Sequence, residues 1–259
     1  MLAALCCSAA ADAAEPAALA RARALYNAAN YDGAITAAAS VRQQAQWADA
    51  AALVIARSHL ERFRLNADPA DLTSARGTLS TIRATALAPR DQLDLLIGLG
   101  QSLYLAETFG AAAEIFDNAL GQSSMLTARE RLLVLDWWAT ALDREALTRP
   151  VDRRAAEFVR IAVRMEEELR LDPGSRVANY WLAAAARGAG DVERAWGAAI
   201  AGWVRATLSP DGPALRTDLD RLVTTALVPE RARQRPSRDQ LEAQNGIRAD
   251  WEAVKEQWK

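Results

Sequence analysis

The chain reads as all-α, a succession of helical hairpins, and three observations predict it. Alanine, leucine, glutamate and arginine, all good helix formers, are abundant. Large apolar residues stand beside glycine or alanine at helical intervals, so bulk and near-absence of bulk share helix faces. Close-contact alanines recur at Ala34, Ala75, Ala112, Ala155 and Ala195, at intervals of 41, 37, 43 and 40 residues. The nine prolines and thirteen glycines fall mostly between periodic stretches, as punctuation.

Taken in order, the first fourteen residues, MLAALCCSAAADAA, are small or apolar apart from Ser8 and Asp12. They contain the Ala-x-Ala steps Ala9 to Ala11 and Ala11 to Ala13, and read as the end of a truncated export signal. Residues 15–208 follow as hairpins. YNAANYDGAI, Tyr26 to Ile35, carries Tyr31 and Ala34. Asp68-Pro69 starts a helix carrying Leu72, Ala75, Leu79 and Ile82, since an Asp side chain caps orphan amides and proline costs little in a first turn.

The clearest unit is LGQSLYLAETFGAAAEIFDNAL, Leu99 to Leu120. Leu96, Leu99, Gly100 and Leu103 share one helix face, and Phe109, Ala112, Phe116 and Ala119 share a face of the next. Gly100 and Ala112 are placed to let the two helices approach closely, with leucine and phenylalanine filling the surrounding space. Leu135, Trp138, Ala139 and Leu142 predict a further first helix. A long helix over about 152–170 pairs with it through Ala155, Val159 and Ala162, with Phe158, Ile161, Val163 and Met165 on its apolar side. GDVERAWGAAI, preceded by Leu182 and Ala183, supplies the fifth hairpin, opened by Asp191 and packed through Val192, Ala195 and Ala199.

Residues 209–259 depart from the repeat. Leu215, Leu219, Leu222 and Leu227 mark an amphipathic helix that PERARQRP is expected to break. A Ser237 to Gln240 capping box opens a last helix whose seam is Ile247, Trp251, Val254 and Trp258, suited to covering the end of the stack.

The eight helical positions in the third unit resemble the tetratricopeptide repeat, whose 34-residue unit places a large residue, Leu-Gly, an aromatic, then Tyr, Ala, Phe or Tyr, and Ala. The stretch Tyr26 to Ile35, with Tyr31 and Ala34 in the matching places, and the LDPGS at Leu171 to Ser175 are similar to the same family's inter-helix turn and unit end. The resemblance implies a right-handed α-solenoid of about five such hairpins with a C-terminal helical cap. It also implies that the first helix of each hairpin lines a concave groove. That register points Arg23, Tyr26 and Asn27 to the groove in the first unit, Gln101 and Tyr104 in the third, and Tyr180 and Arg187 in the fifth. The lysine-containing carboxylate clamp of chaperone-binding relatives is not reproduced.

Chemistry is poorly represented. A net charge of −2 from 31 basic and 33 acidic residues supplies no field for nucleic acid. Cys6 and Cys7 are the only cysteines and His59 the only histidine, so neither a disulfide framework, a multi-cysteine metal site nor a three-histidine zinc site can form. His59 reads as an exposed or hydrogen-bonded helical residue. Gly98 to Leu103 lacks the third glycine and the strand of a dinucleotide fingerprint. Glu166 to Glu168 fan around a helix as a solvated face, and Arg231, Arg233, Arg235 and Arg238 read as a solvated linker. No run of about 18 apolar residues predicts a membrane span. Trp137, Trp138, Tyr180, Trp181, Trp196 and Trp203 cluster late in the repeats, mostly as core, with one or two expected on a groove.

The expected function is therefore non-enzymatic, without metal or cofactor: a scaffold holding a peptide or partner subunit, exported to the periplasm or secreted and working in or beside the cell envelope. The alternatives are an accessory solenoid cradling a small solute for an uptake or envelope system, an enzyme doing acid–base work with carboxylates alone, and a cytoplasmic location.

Overall fold

The computed structural model describes residues 14–235 and 239–259, which are helical with no strand among them. The export segment, both cysteines, Ser237 and Arg238 lie outside the described residues. No helix among those described is long and apolar enough to cross a membrane. The chain divides into two compact units, one ending at Leu105 and the next beginning at Ala106.

The first unit contains α1 (Ala17–Asn27), α2 (Tyr31–Ala39), α3 (Ala48–Asn66), α4 (Pro69–Leu79) and α5 (Pro89–Leu105). Helix α1 packs on α2 and α3, α2 on α3, α3 on α4, and α5 on both α3 and α4. Leu19, Ala22, Ala34, Ala38, Leu60 and Ala75 are buried at the centre. The small residues permit close helix approach, and the leucines fill what remains.

The turns explain how consecutive helices reverse. Ala29 and Ala67 sit at φ 58° and 55°, left-handed values that end a helix by redirecting its last carbonyls. The Ala29 and Asn30 amides donate back to the Tyr26 and Leu25 carbonyls, both at 2.9 Å. Asn30 then caps α2 by accepting from the Gly33 amide, and Asp68 caps α4 by accepting from the Ala70 amide. In the second unit Glu107 (φ 60°) precedes Thr108, and Gly190 (φ 85°) precedes Asp191, so the geometry recurs. The Gly190 and Asp191 amides return to the Arg187 and Ala186 carbonyls as at the first turn.

The second unit contains α6 (Phe109–Gly121), α7 (Ala128–Thr148), α8 (Val151–Leu171), α9 (Arg176–Gly188), α10 (Val192–Arg205), α11 (Gly212–Leu222), a π turn (Val223–Leu227), α12 (Val228–Gln234) and α13 (Gln240–Gln257). Each of α6 to α10 packs on the next. In addition α7 packs on α9, and α9 on α11. The core ends on Trp251, which meets Trp196 and Trp203 edge to face at 5.9 and 5.3 Å.

Gly100 lies in α5 and Ala112 in α6, so the two partners of the anticipated close approach belong to different units. Four other expectations need correction. Ala155, Val159 and Val163 are exposed, because α8 turns Phe158, Ile161, Ala162 and Met165 inward instead. Pro229 does not break its helix. Its missing amide and its ring disturb the preceding turn, and the five-residue π turn absorbs that disturbance, so helix continues to Gln234. Glu168 is buried and paired with Arg131, while Glu166 reaches Arg194 at 2.6 Å. Arg231 is no solvated linker residue either: it binds Glu193 at 2.7 Å and lies 4.6 Å above the Trp196 ring.

The last helix is capped by Asp239, which accepts from the Leu241 and Glu242 amides. Its seam buries Ile247 and Trp251, with Val254 packed beside them and Trp258 largely exposed. His59 is hydrogen-bonded to Asp71 at 2.7 Å.

Candidate functional site

The faces of α1, α3 and α5 in the first unit are tied together by polar side chains. Arg23 grips Asp91 with two nitrogens, at 2.8 and 3.0 Å, and also holds Glu15. Arg57 pairs with Asp94 at 3.0 Å and stacks 4.8 Å from the Tyr26 ring. Burial pushes the Tyr26 phenol above its ordinary pKa. Gln101 is buried and donates to Glu61 at 3.4 Å. Arg23, Tyr26 and Gln101 are thus engaged within the unit, whereas Asn27 is exposed and Tyr104 partly so.

The corresponding face of the second unit is open. Helices α7, α9 and α11 lie side by side, and a cleft of about 700 Å³ lies between the N-terminal half of α7, α9 and the C-terminal half of α11. A second cleft, about 710 Å³, continues along their C-terminal halves and α12. The two share Tyr180, Arg187 and Leu222, which makes one groove along α9. Leu132, Leu133, Val177 and Ala226 give the first cleft an apolar lining, and Leu133 is 54% exposed. Thr225 and Ala226 of the π turn form part of its wall.

Helical spacing delivers these side chains. Arg129, Leu133, Asp136, Asp143 and Leu147 recur on one stripe of α7, and Arg176, Tyr180 and Arg187 on one stripe of α9. Charges in the groove are mostly consumed by partners. Arg176 binds Asp218 at 2.6 Å, Arg187 holds both oxygens of Glu230, and the Trp181 indole N–H donates to Asp136 at 2.7 Å. Tyr180 meets Trp181 edge to face at 5.6 Å. Its phenol pKa is raised by burial and then by the carboxylates of Asp218, Asp143 and Asp136. Asp143 is also raised, by burial, against the opposing influence of Arg144 and Arg187.

Tyr180 and Arg187 are the sequence-derived candidates that the structure brings into the groove. Asp136 and Asp143 escaped sequence reading, although the seven-residue step from Arg129 to Asp136 to Asp143 marks the same face, and Leu222 was read only as part of an apolar helix face. Most tryptophans of this region are core: Trp138 is 1% exposed, and Trp181, which lines the second cleft, is 8% exposed. Comparison with protein-family models, curated proteins and solved structures gives no match to this chain.

Proposed function

We propose that the protein is a non-enzymatic binding module built from tetratricopeptide-like helical hairpins, which holds an extended segment of a partner protein in the groove along α9. The observation that carries this reading is the contiguity of the two clefts across α7 and α9, first helices of their hairpins, and α11, which follows them. The order of packing supports the hairpin assignment: α7 on α9 and α9 on α11 in the second unit, α1 on α3 and α3 on α5 in the first. A wall containing a π turn adds support, because such turns in helices concentrate at functional sites. An apolar strip flanked by polar anchors suits a peptide, with Tyr180 and Arg187 of the residue types that commonly dominate binding energy.

Photo-crosslinking from position 180 tests it. A crosslinker at Tyr180 is expected to capture a polypeptide in the native host, and the same group at Val159, exposed on α8, is expected to capture none. Equal capture at both positions, or none at Tyr180, overturns the groove.

A further inference from the structure

We infer that the end of the groove beside Asp143 receives a lysine or arginine side chain of the bound segment. The inference rests on the groove reading and adds the chemistry of its occupant.

Asp143 lines the second cleft with Tyr180, Trp181 and Phe158. It is half-buried, and no hydrogen bond or ion pair among the described residues reaches its carboxylate. The basic groups facing the same cleft are committed elsewhere or stand at its rim. Arg154 donates to the carbonyls of Arg149 and Leu147, Arg187 is held by Glu230, and Arg233 is exposed. A half-buried carboxylate without a partner is costly. Exposed arginines such as Arg129 and Arg221, at the opposite end, keep their water and cost little, so they say less about a ligand.

A partner cation would supply the direct ion pair that Asp143 lacks, since Arg144 and Arg187 act on it only from a distance. It would also meet aromatic side chains, and an ammonium or guanidinium gains further from a ring face. A long aliphatic stem lies well against Leu147, Val192 and Leu222, which line the same cleft. Burial has raised the Asp143 pKa, so an arriving cation also relieves an unfavourable ionisation.

The test uses the full chain and fluorescence anisotropy. One labelled octapeptide pool mixes lysine with leucine and phenylalanine, and a second replaces lysine by glutamate. The lysine pool is expected to bind, Asp143→Asn to weaken it roughly tenfold or more, and Asp143→Glu to retain part of the affinity. Circular dichroism and melting establish that each variant is folded. Unchanged binding by Asp143→Asn, preference for the glutamate pool, or competition by free putrescine as strong as by unlabelled peptide overturns the inference. If neither pool binds, this inference falls, while crosslinking from position 180 still decides the groove itself.

Discussion

At the residue scale, the unpaired carboxylate of Asp143 has a consequence for stability in the absence of any partner. Its folded-state pKa lies above the unfolded value because burial disfavours the charged form. The folded chain therefore holds this proton more tightly than the unfolded chain, and the site's contribution to stability grows less favourable as pH rises through that interval. Asp143→Asn removes the penalty at neutral pH. The variant is expected to melt at a higher temperature than the wild type near pH 7, with the difference shrinking on acidification through the ordinary carboxylate range. A lower melting temperature near neutrality would make Asp143 a structural residue. The turn residues behave differently. Gly190 has φ 85°, and an added Cβ would meet nothing within 4 Å, so Gly190→Ala isolates backbone strain. A cost of about 1 kcal/mol in urea unfolding is expected. Ala29 and Ala67 already occupy the left-handed region. An alanine there carries no sequence signal, which is why the first turn was legible only through its likeness to a repeat turn, with Tyr31 and Ala34 in place, and the second only through Asp68-Pro69.

At the scale of the element, close contacts decide which face of a helix is inside. Helix α8 carries apolar residues on two stripes, and periodicity alone ranks Ala155, Val159 and Val163 with Phe158, Ile161 and Met165. The structure selects the second set because α9 brings a glycine to it. A Cβ on Gly188 would stand 2.4 Å from the Phe158 ring. Gly188→Ala should force Phe158 aside and destabilise the protein by about 1–3 kcal/mol, measured by urea denaturation. A neutral substitution would mean that the α8–α9 packing is looser than this contact implies. The same scale explains Pro229. Proline predicts a break from local chemistry, but apolar residues on either side of it remain on one buried stripe, Leu219, Val223, Leu227 and Val228 before it and Ala232 after it being fully buried. A π turn keeps that stripe continuous at the expense of one irregular turn, and the irregularity falls on the groove wall.

At the scale of the whole molecule, the two units use equivalent helix faces in different ways. Salt bridges and a buried glutamine occupy the face of α1, α3 and α5, while that of α7, α9 and α11 stays open. Helical spacing shows which residues share a face; it does not show whether their partners come from the same chain. That is why Tyr26, covered by Arg57 of the same chain, and Tyr180, which lines the groove, looked alike in sequence. The division after Leu105 was hidden for a related reason, since the same apolar pattern runs through both sides of it. Closing the second unit at its C-terminal end falls to α13, and one residue concentrates that task. Trp251 is fully buried, contacts Trp196 and Trp203, and donates its indole N–H to Asp220 at 2.8 Å. Lys255 joins the same carboxylate at 2.9 Å, and together they hold Asp220 below its ordinary pKa despite partial burial. Trp251→Ala removes a fully buried tryptophan from this cluster and leaves a cavity, a change that costs about 3–5 kcal/mol in a packed core. Against a total stability of about 5–15 kcal/mol for a domain, that loss should release α13 before the rest of the unit. Hydrogen exchange is expected to accelerate first in α13 and in the α11–α12 segment it covers. Full protection there, with a loss below about 1 kcal/mol, would mean that the C-terminal part of this unit does not depend on Trp251 for its packing.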